Sequence, residues 1–131
     1  MGMDLAARSS IEGFHSNWSG WSFLGDCLVA CGCDVSKMSG SNDGEYVDAK
    51  TARKWAKSVR REIGRLYVAD IPEDQPFSHT PEVLRDEDGY SLLRWTGDGV
   101  SVSYLQDNNN LLGFLNNFLT FLEGSSGFWQ Y

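Results

Sequence analysis

Residues 108–131 read Asn-Asn-Asn-Leu-Leu-Gly-Phe-Leu-Asn-Asn-Phe-Leu-Thr-Phe-Leu-Glu-Gly-Ser-Ser-Gly-Phe-Trp-Gln-Tyr, and the periodicity of the stretch changes part-way. Leu111, Leu115, Phe118 and Leu122 recur at three- and four-residue spacing, and Leu112, Phe114, Leu119 and Phe121 widen that stripe. An apolar arc this broad predicts a deeply buried helix from about Asn108 to Glu123. Gly124-Ser125-Ser126-Gly127 breaks the pattern, and the aromatic run Phe128-Trp129-Gln130-Tyr131 suits a short final strand. A buried helix that runs into a strand needs both a sheet and other helices around it, which points to an α+β domain.

Working outward, two more helices are legible. Asn17 is placed to cap one on which Trp18, Trp21, Leu24, Leu28 and Cys31 recur at helical spacing until Gly32 ends it. Asp48 caps the other, where Ala52, Ala56, Val59, Ile63 and Leu66 align on one side with Trp55 at the edge. Between them Ser39-Gly40-Ser41-Asn42-Asp43-Gly44 is dense in turn formers and reads as a loop. Residues 70–89 hold all three prolines and many acids, so they read as an exposed connection. Tyr90–Thr96 and Val100–Tyr104 flank Gly97-Asp98-Gly99 and read as a β-hairpin. The expected architecture is three helices packed on a small antiparallel sheet that contains this hairpin.

At 131 residues, with no internal repeat and no low-complexity linker, the chain fits one domain spanning 1–131. No apolar run reaches bilayer-crossing length, and residues 1–10 lack a signal-peptide core, so a cytoplasmic protein without membrane contact is expected. Three crowded cysteines, Cys27, Cys31 and Cys33, suit reduced thiols. The formal net charge of −7 disfavours direct nucleic-acid binding. That charge is sorted along the chain. Lys50, Arg53, Lys54, Lys57, Arg60, Arg61 and Arg65 face only Glu62 on the second helix, whereas residues 70–107 are strongly acidic.

Several constellations bear on chemistry, each against a plainer reading. Cys27, Cys31 and Cys33 with His15 or His79 have the atoms for zinc, but Cys27 and Cys31 fall on the apolar helix face, where cysteine packs as a small hydrophobe. No metal or cofactor is therefore expected. His15 reads as closing the first helix start and His79 as solvated, which leaves no nucleophile–base pair. Asp86 and Asp88 lie beside a glycine, as exposed loops do, so no catalytic residue is assigned. Trp18 and Trp21 beside Asn42 and Asp43 can wall a small-ligand or nucleotide pocket, against a structural turn over buried tryptophans. The basic arc, with Lys50, Lys54, Lys57, Arg61 and Arg65 on one helical line, suits nucleic acid or an acidic protein face, against a solvated helix face.

Four separated signatures resemble one family of small hypothetical proteins of bacteriophages and bacteria, especially actinobacteria. They are Met1-Gly2-Met3-Asp4, Phe14 through Asn17-Trp18 to Trp21 ahead of Leu24, Ser41-Asn42-Asp43-Gly44, and Phe118 to Leu122 running into Ser126-Gly127-Phe128. Many members resemble zinc-binding proteins through paired Cys-x-x-Cys knuckles in mid-chain. Here no cysteine follows Cys33, so no metal role carries over. The resemblance implies a phage or mobile-element setting, in which short acidic proteins act as stoichiometric binders of host machinery.

The function expected on this basis is binding to a host protein complex that handles nucleic acid, such as a CRISPR effector, in competition with that nucleic acid. Asp86, Glu87, Asp88 and Asp98 would mimic spaced phosphates, and Tyr90, Trp95, Tyr104 and Trp129 would supply apolar contacts. A nucleotide sponge built on Trp18, Trp21, Asn42 and Asp43 is the alternative, and a small enzyme the third reading. The sequence leaves oligomeric state open.

Overall fold

The computed structural model describes residues 2–68, 82–94 and 111–131. Among them the chain runs β1 (Gly2–Ala7), β2 (Phe14–Asn17), α1 (Trp18–Ala30), β3 (Glu45–Val47), α2 (Ala49–Glu62), a 3-10 turn (Ile63–Arg65), β4 (Leu66–Val68), β5 (Glu82–Arg85), β6 (Ser91–Arg94), α3 (Leu111–Gly124) and β7 (Phe128–Gln130). The fold is a small α+β arrangement of three helices and two sheets, as the sequence predicts in class. The expected single sheet is in fact two. One is antiparallel in the order β2-β1-β7-β3; the other, β4-β6-β5, joins a parallel β4/β6 pair to an antiparallel β5/β6 pair.

The last strand is central to the four-stranded sheet: β7 pairs with β1 on one side and β3 on the other. Alternation fixes its faces, as successive strand residues point to opposite sides. Phe128 and Gln130 are buried, and the half-buried Trp129 meets Tyr46 on the outer side at a ring-centroid distance of 4.9 Å. Met3, Leu5 and Val47 complete the inner face, over which α1, α2 and α3 contribute Leu24, Leu28, Val59, Leu115, Phe118 and Leu119 to one apolar cluster.

Gln130 is a polar member of that face, and its side-chain hydrogen bonds hold the 37–45 loop. Its Oε1 accepts from the Ser39 amide at 2.7 Å, while Nε2 donates to the Lys37 and Glu45 carbonyls at 3.0 and 3.4 Å. A buried amide side chain is tolerated because it satisfies backbone groups that would otherwise be stranded.

The helices follow the local chemistry of their ends. Asp48 accepts a hydrogen bond from the Thr51 amide at 2.8 Å and caps α2, as its position predicts. At the end of α1, Cys33 N bonds Leu28 O at 2.9 Å and Gly32 N bonds Val29 O at 2.9 Å, with Gly32 at φ +84°. These paired bonds form a Schellman cap, which requires the left-handed residue that glycine supplies. Trp55, expected at the edge of the α2 stripe, is fully inside it. Leu66 is not helical: α2 stops at Glu62, the 3-10 turn intervenes, and Leu66 opens β4 while keeping its buried position. The exposed connection expected over residues 70–89 carries a strand at Glu82–Arg85, and the observed hairpin is β5–β6. Of the expected 90–104 hairpin, the first strand is present as β6; Val100–Tyr104 lie outside the described residues. Among the described residues no helix is long and apolar enough to cross a membrane.

Candidate functional site

The three-stranded sheet sorts its residues into two rows. Leu66, Ser91 and Arg85 are in register across β4, β6 and β5, and so are Tyr67, Leu92 and Leu84. The first row is tied inward. Leu66 is 3% and Ser91 6% exposed, and the Arg85 guanidinium donates to Ser91 Oγ at 3.1 Å and to the Ala30 carbonyl at the end of α1 at 2.8 Å. An arginine on a terminal helix carbonyl satisfies one of the groups that helix geometry leaves unpaired. Because strand side chains alternate, the second row faces the other way, and there Tyr67 is 53% and Leu84 41% exposed.

Tyr90, at the start of β6, completes that outward surface. Its ring lies 5.8 Å from that of Tyr67 at an interplanar angle of 32°, and it is itself 39% exposed. Together these side chains border a concavity of about 600 Å³. The adjoining turn is built by Asp86, whose Oδ1 accepts from the Asp88 and Tyr90 amides at 3.0 and 2.9 Å. Gly89 at φ +88° closes the turn, and the Arg65 guanidinium packs over it. A side chain at Gly89 would meet both that backbone constraint and Arg65. Asp86 is thus engaged in shaping the turn, while Glu87 and Asp88 stand exposed at its tip.

Of the residues that the sequence assigns to partner binding, Asp86, Glu87, Asp88 and Tyr90 come together here. Trp95, Asp98 and Tyr104 lie outside the described residues. Trp129 is elsewhere, packed on Tyr46. Tyr67 and Leu84 belong to this surface and were missed, as Leu66-Tyr67-Val68 and Glu82–Arg85 carry no alternating pattern. The residues assigned to a ligand pocket have other occupations. Trp21 is 5% exposed and its indole donates to Ser39 O at 2.9 Å; Trp18 packs against the core; Asn42 bonds Gly2 O; and Asp43 accepts from Ser41. None of the four borders the concavity.

No family model, curated protein or solved structure matches this chain.

Among the described residues the charge sorting is partial: Arg65 packs over Gly89 in the acidic turn, and Arg85 lines the concavity beside Asp86. Among the described residues, the ion pairs are His15–Asp4, Arg60–Glu123 and Arg61–Glu62. None of them joins the basic arc of α2 to the acidic turn after β5. His15 sits on β2 opposite Asp4 of β1 and pairs with it across the strands, so it does not close the start of α1 as expected. His79 lies outside the described residues.

The interior also holds titratable groups. Cys27 and Cys31 are buried, and desolvation pushes both thiols up, Cys31 to about 12. Asp26, on α1, has an Oδ2 atom that is buried without a hydrogen-bond partner among the described residues, and burial pushes its carboxyl from 3.8 to about 7. The folded protein therefore holds a proton on Asp26 that the unfolded chain has already released between those values. Stability conferred by that proton is complete below about pH 4 and falls as pH rises towards 7. Water over the open part of the site screens the charge and limits the loss to about 1–2 kcal/mol. Asp26→Asn is expected to remove this slope, and urea melts at about pH 5 and about pH 8 check it. A wild-type protein whose Asp26-dependent stability is the same at both values contradicts the assignment.

Proposed function

We propose that the protein acts by stoichiometric binding to another protein, using the outward face of the β4–β6–β5 sheet. The observation that carries this reading is the exposed Tyr67–Tyr90 pair with Leu84 around a 600 Å³ concavity that Arg85 and Asp86 also line, with Glu87 and Asp88 exposed at the tip of the adjoining turn. Two tyrosines and a leucine form an exposed apolar cluster on one face of this sheet. Interfaces concentrate their binding energy in such aromatic centres, and a charged rim governs approach and orientation.

The exposed carboxylates at the tip of that turn, Glu87 and Asp88, favour a basic partner surface. Proteins that grip nucleic acid carry such surfaces, and the resemblance to small phage proteins supports a host defence complex, such as a CRISPR effector, as the target. Binding there would exclude the nucleic acid by occupying its electropositive groove.

Titration against purified nucleic-acid-handling host complexes, at roughly 50 mM salt where surface charges are weakly screened, tests the reading. A one-to-one complex is expected. Tyr67→Ala/Tyr90→Ala should weaken it by about 30-fold or more, mainly through faster dissociation, and Glu87→Lys/Asp88→Lys should slow association. All four side chains are exposed, so the variants should melt with the wild type. Absence of binding at low salt, or a complex indifferent to both variants, refutes the proposal.

A further inference from the structure

A second concavity, of about 480 Å³, lies between α2 and the loop that leaves α1, and it shares no bordering residue with the tyrosine surface. Lys37 reaches it from the loop; Lys54, Lys57 and Arg61 reach it from successive turns of α2. Against these four cations the lining holds one carboxylate, Asp34, a net of three positive charges. Asp34 is itself turned to the backbone: its Oδ1 accepts from the Ser36 amide at 2.9 Å, and hydrogen bonding to Ser36 holds its carboxyl below the usual range. Glu62, beside Arg61, offsets part of that residue's charge from outside the lining.

The walls of this concavity are fixed. Trp55 is buried beneath it and its indole donates to the Asp34 carbonyl at 3.0 Å, which pins the loop to α2. Gln130 binds the Lys37 carbonyl from the sheet side. The Schellman cap of α1 fixes where the loop begins. Preformed walls reduce the ordering cost of binding a ligand. The lining adds the Thr51 hydroxyl as a neutral donor, and the one large ring, Trp55, is too deeply buried to stack on a base. The recognition chemistry is therefore for negative charge in compact form.

We propose that this cleft binds a multiply charged phosphoryl group, inorganic pyrophosphate or the di- or triphosphate chain of a nucleotide, with Lys37, Lys54, Lys57 and Arg61 as its cationic ligands. Charge-assisted hydrogen bonds to phosphate oxygens are the stronger kind, and a converging set of cations favours two or more phosphates over one. The site is independent of the protein-binding reading and stands or falls separately.

Cys33 supplies an internal reporter. It borders the cleft, is only half-buried and bonds Ser58, whereas Cys27 and Cys31 are buried. Calorimetric titration with pyrophosphate at low salt is expected to show saturable one-to-one binding that weakens as salt rises. Lys54→Ala/Lys57→Ala should lower that affinity by about tenfold or more, and Lys50→Ala/Arg53→Ala, on α2 outside the cleft, by less than about twofold. Bound pyrophosphate should also slow alkylation of Cys33 in the wild type. ATP binding comparably to pyrophosphate, with AMP much weaker, assigns recognition to the phosphate chain. AMP equal to ATP, equal losses in both double variants, unprotected Cys33, or no saturable heat would each overturn the proposal. A DNA duplex that binds and responds equally to both double variants would do the same, since α2 would then be a general basic face.

Discussion

Phe118→Ala is expected to destabilise the protein by about 3–5 kcal/mol, the cost of emptying a fully buried aromatic site. Phe118 is 0% exposed and stands where three elements meet. Its ring lies 5.4 Å from that of Phe14 on β2 and 6.0 Å, edge-on, from that of Trp21 on α1. Trp21 cannot move to fill the space without giving up its bond to the Ser39 carbonyl. Phe14 is held in turn by contacts with Phe114 and Phe121. A cavity whose neighbours are fixed relaxes little, which places the cost towards the upper end of the range. Against a typical domain stability of about 5–15 kcal/mol, the melting temperature should fall by about 10–20 °C. Phe118→Leu, which keeps most of the volume, should lose much less. Thermal and urea melts measure both, and a Phe118→Ala loss below about 1 kcal/mol would show that the helix–sheet interface is elsewhere.

Gly127→Ala is expected to cost about 2–4 kcal/mol for a different reason, backbone geometry. Gly127 has φ +98°, a conformation that L side chains rarely adopt. An added Cβ would overlap Tyr46 Oη and come within 2.9 Å of the Val47 carbonyl of β3. The tyrosine can swing away, but the carbonyl belongs to the sheet. Gly127 also accepts from the Arg8 amide at 2.8 Å, so its displacement disturbs the chain next to β1 as well. Ser126→Gly is the contrasting variant. Ser126 is exposed at φ +54°, and relief of that backbone strain should leave stability unchanged or slightly raised. If Gly127→Ala melts with the wild type, the turn between α3 and β7 is not the constraint described.

These two positions also show what was legible in the sequence. The α3 stripe and its glycine-rich stop were readable because periodicity and turn chemistry are local signals, and α2 with its Asp48 cap was readable for the same reason. Strand β3 was not, since its partner β7 lies more than 80 residues away and it is three residues long; the β1–β2 hairpin is local, but Gly2, Asp4, Ala6 and Ala7 are poor strand formers. Leu66 was taken into α2 because its apolar spacing continues past the point where the helix ends. In Glu82–Arg85 the charged residues at both ends resembled a solvated connection. For the candidate surface, charge made Asp86, Glu87, Asp88 and Tyr90 visible. Tyr67 and Leu84 were hidden because only the pairing of β4 and β5 with β6 brings them to the same side. The phosphoryl cleft was half visible: the α2 cations were plain, but Lys37 joins them through a loop whose position depends on Trp55 and Gln130.

The insertion of β7 between β1 and β3 has a kinetic consequence. β1 and β3 share no ladder with each other, so neither can complete its hydrogen bonding until the segment following α3 slots between them. Closing contacts over such sequence separations is slow, on the order of milliseconds to seconds. During that interval two bare strand edges face a common gap, open to any extended peptide that arrives first. Short-lived misassembly during refolding should therefore concentrate at that gap, and a synthetic peptide of the β7 sequence should compete for it.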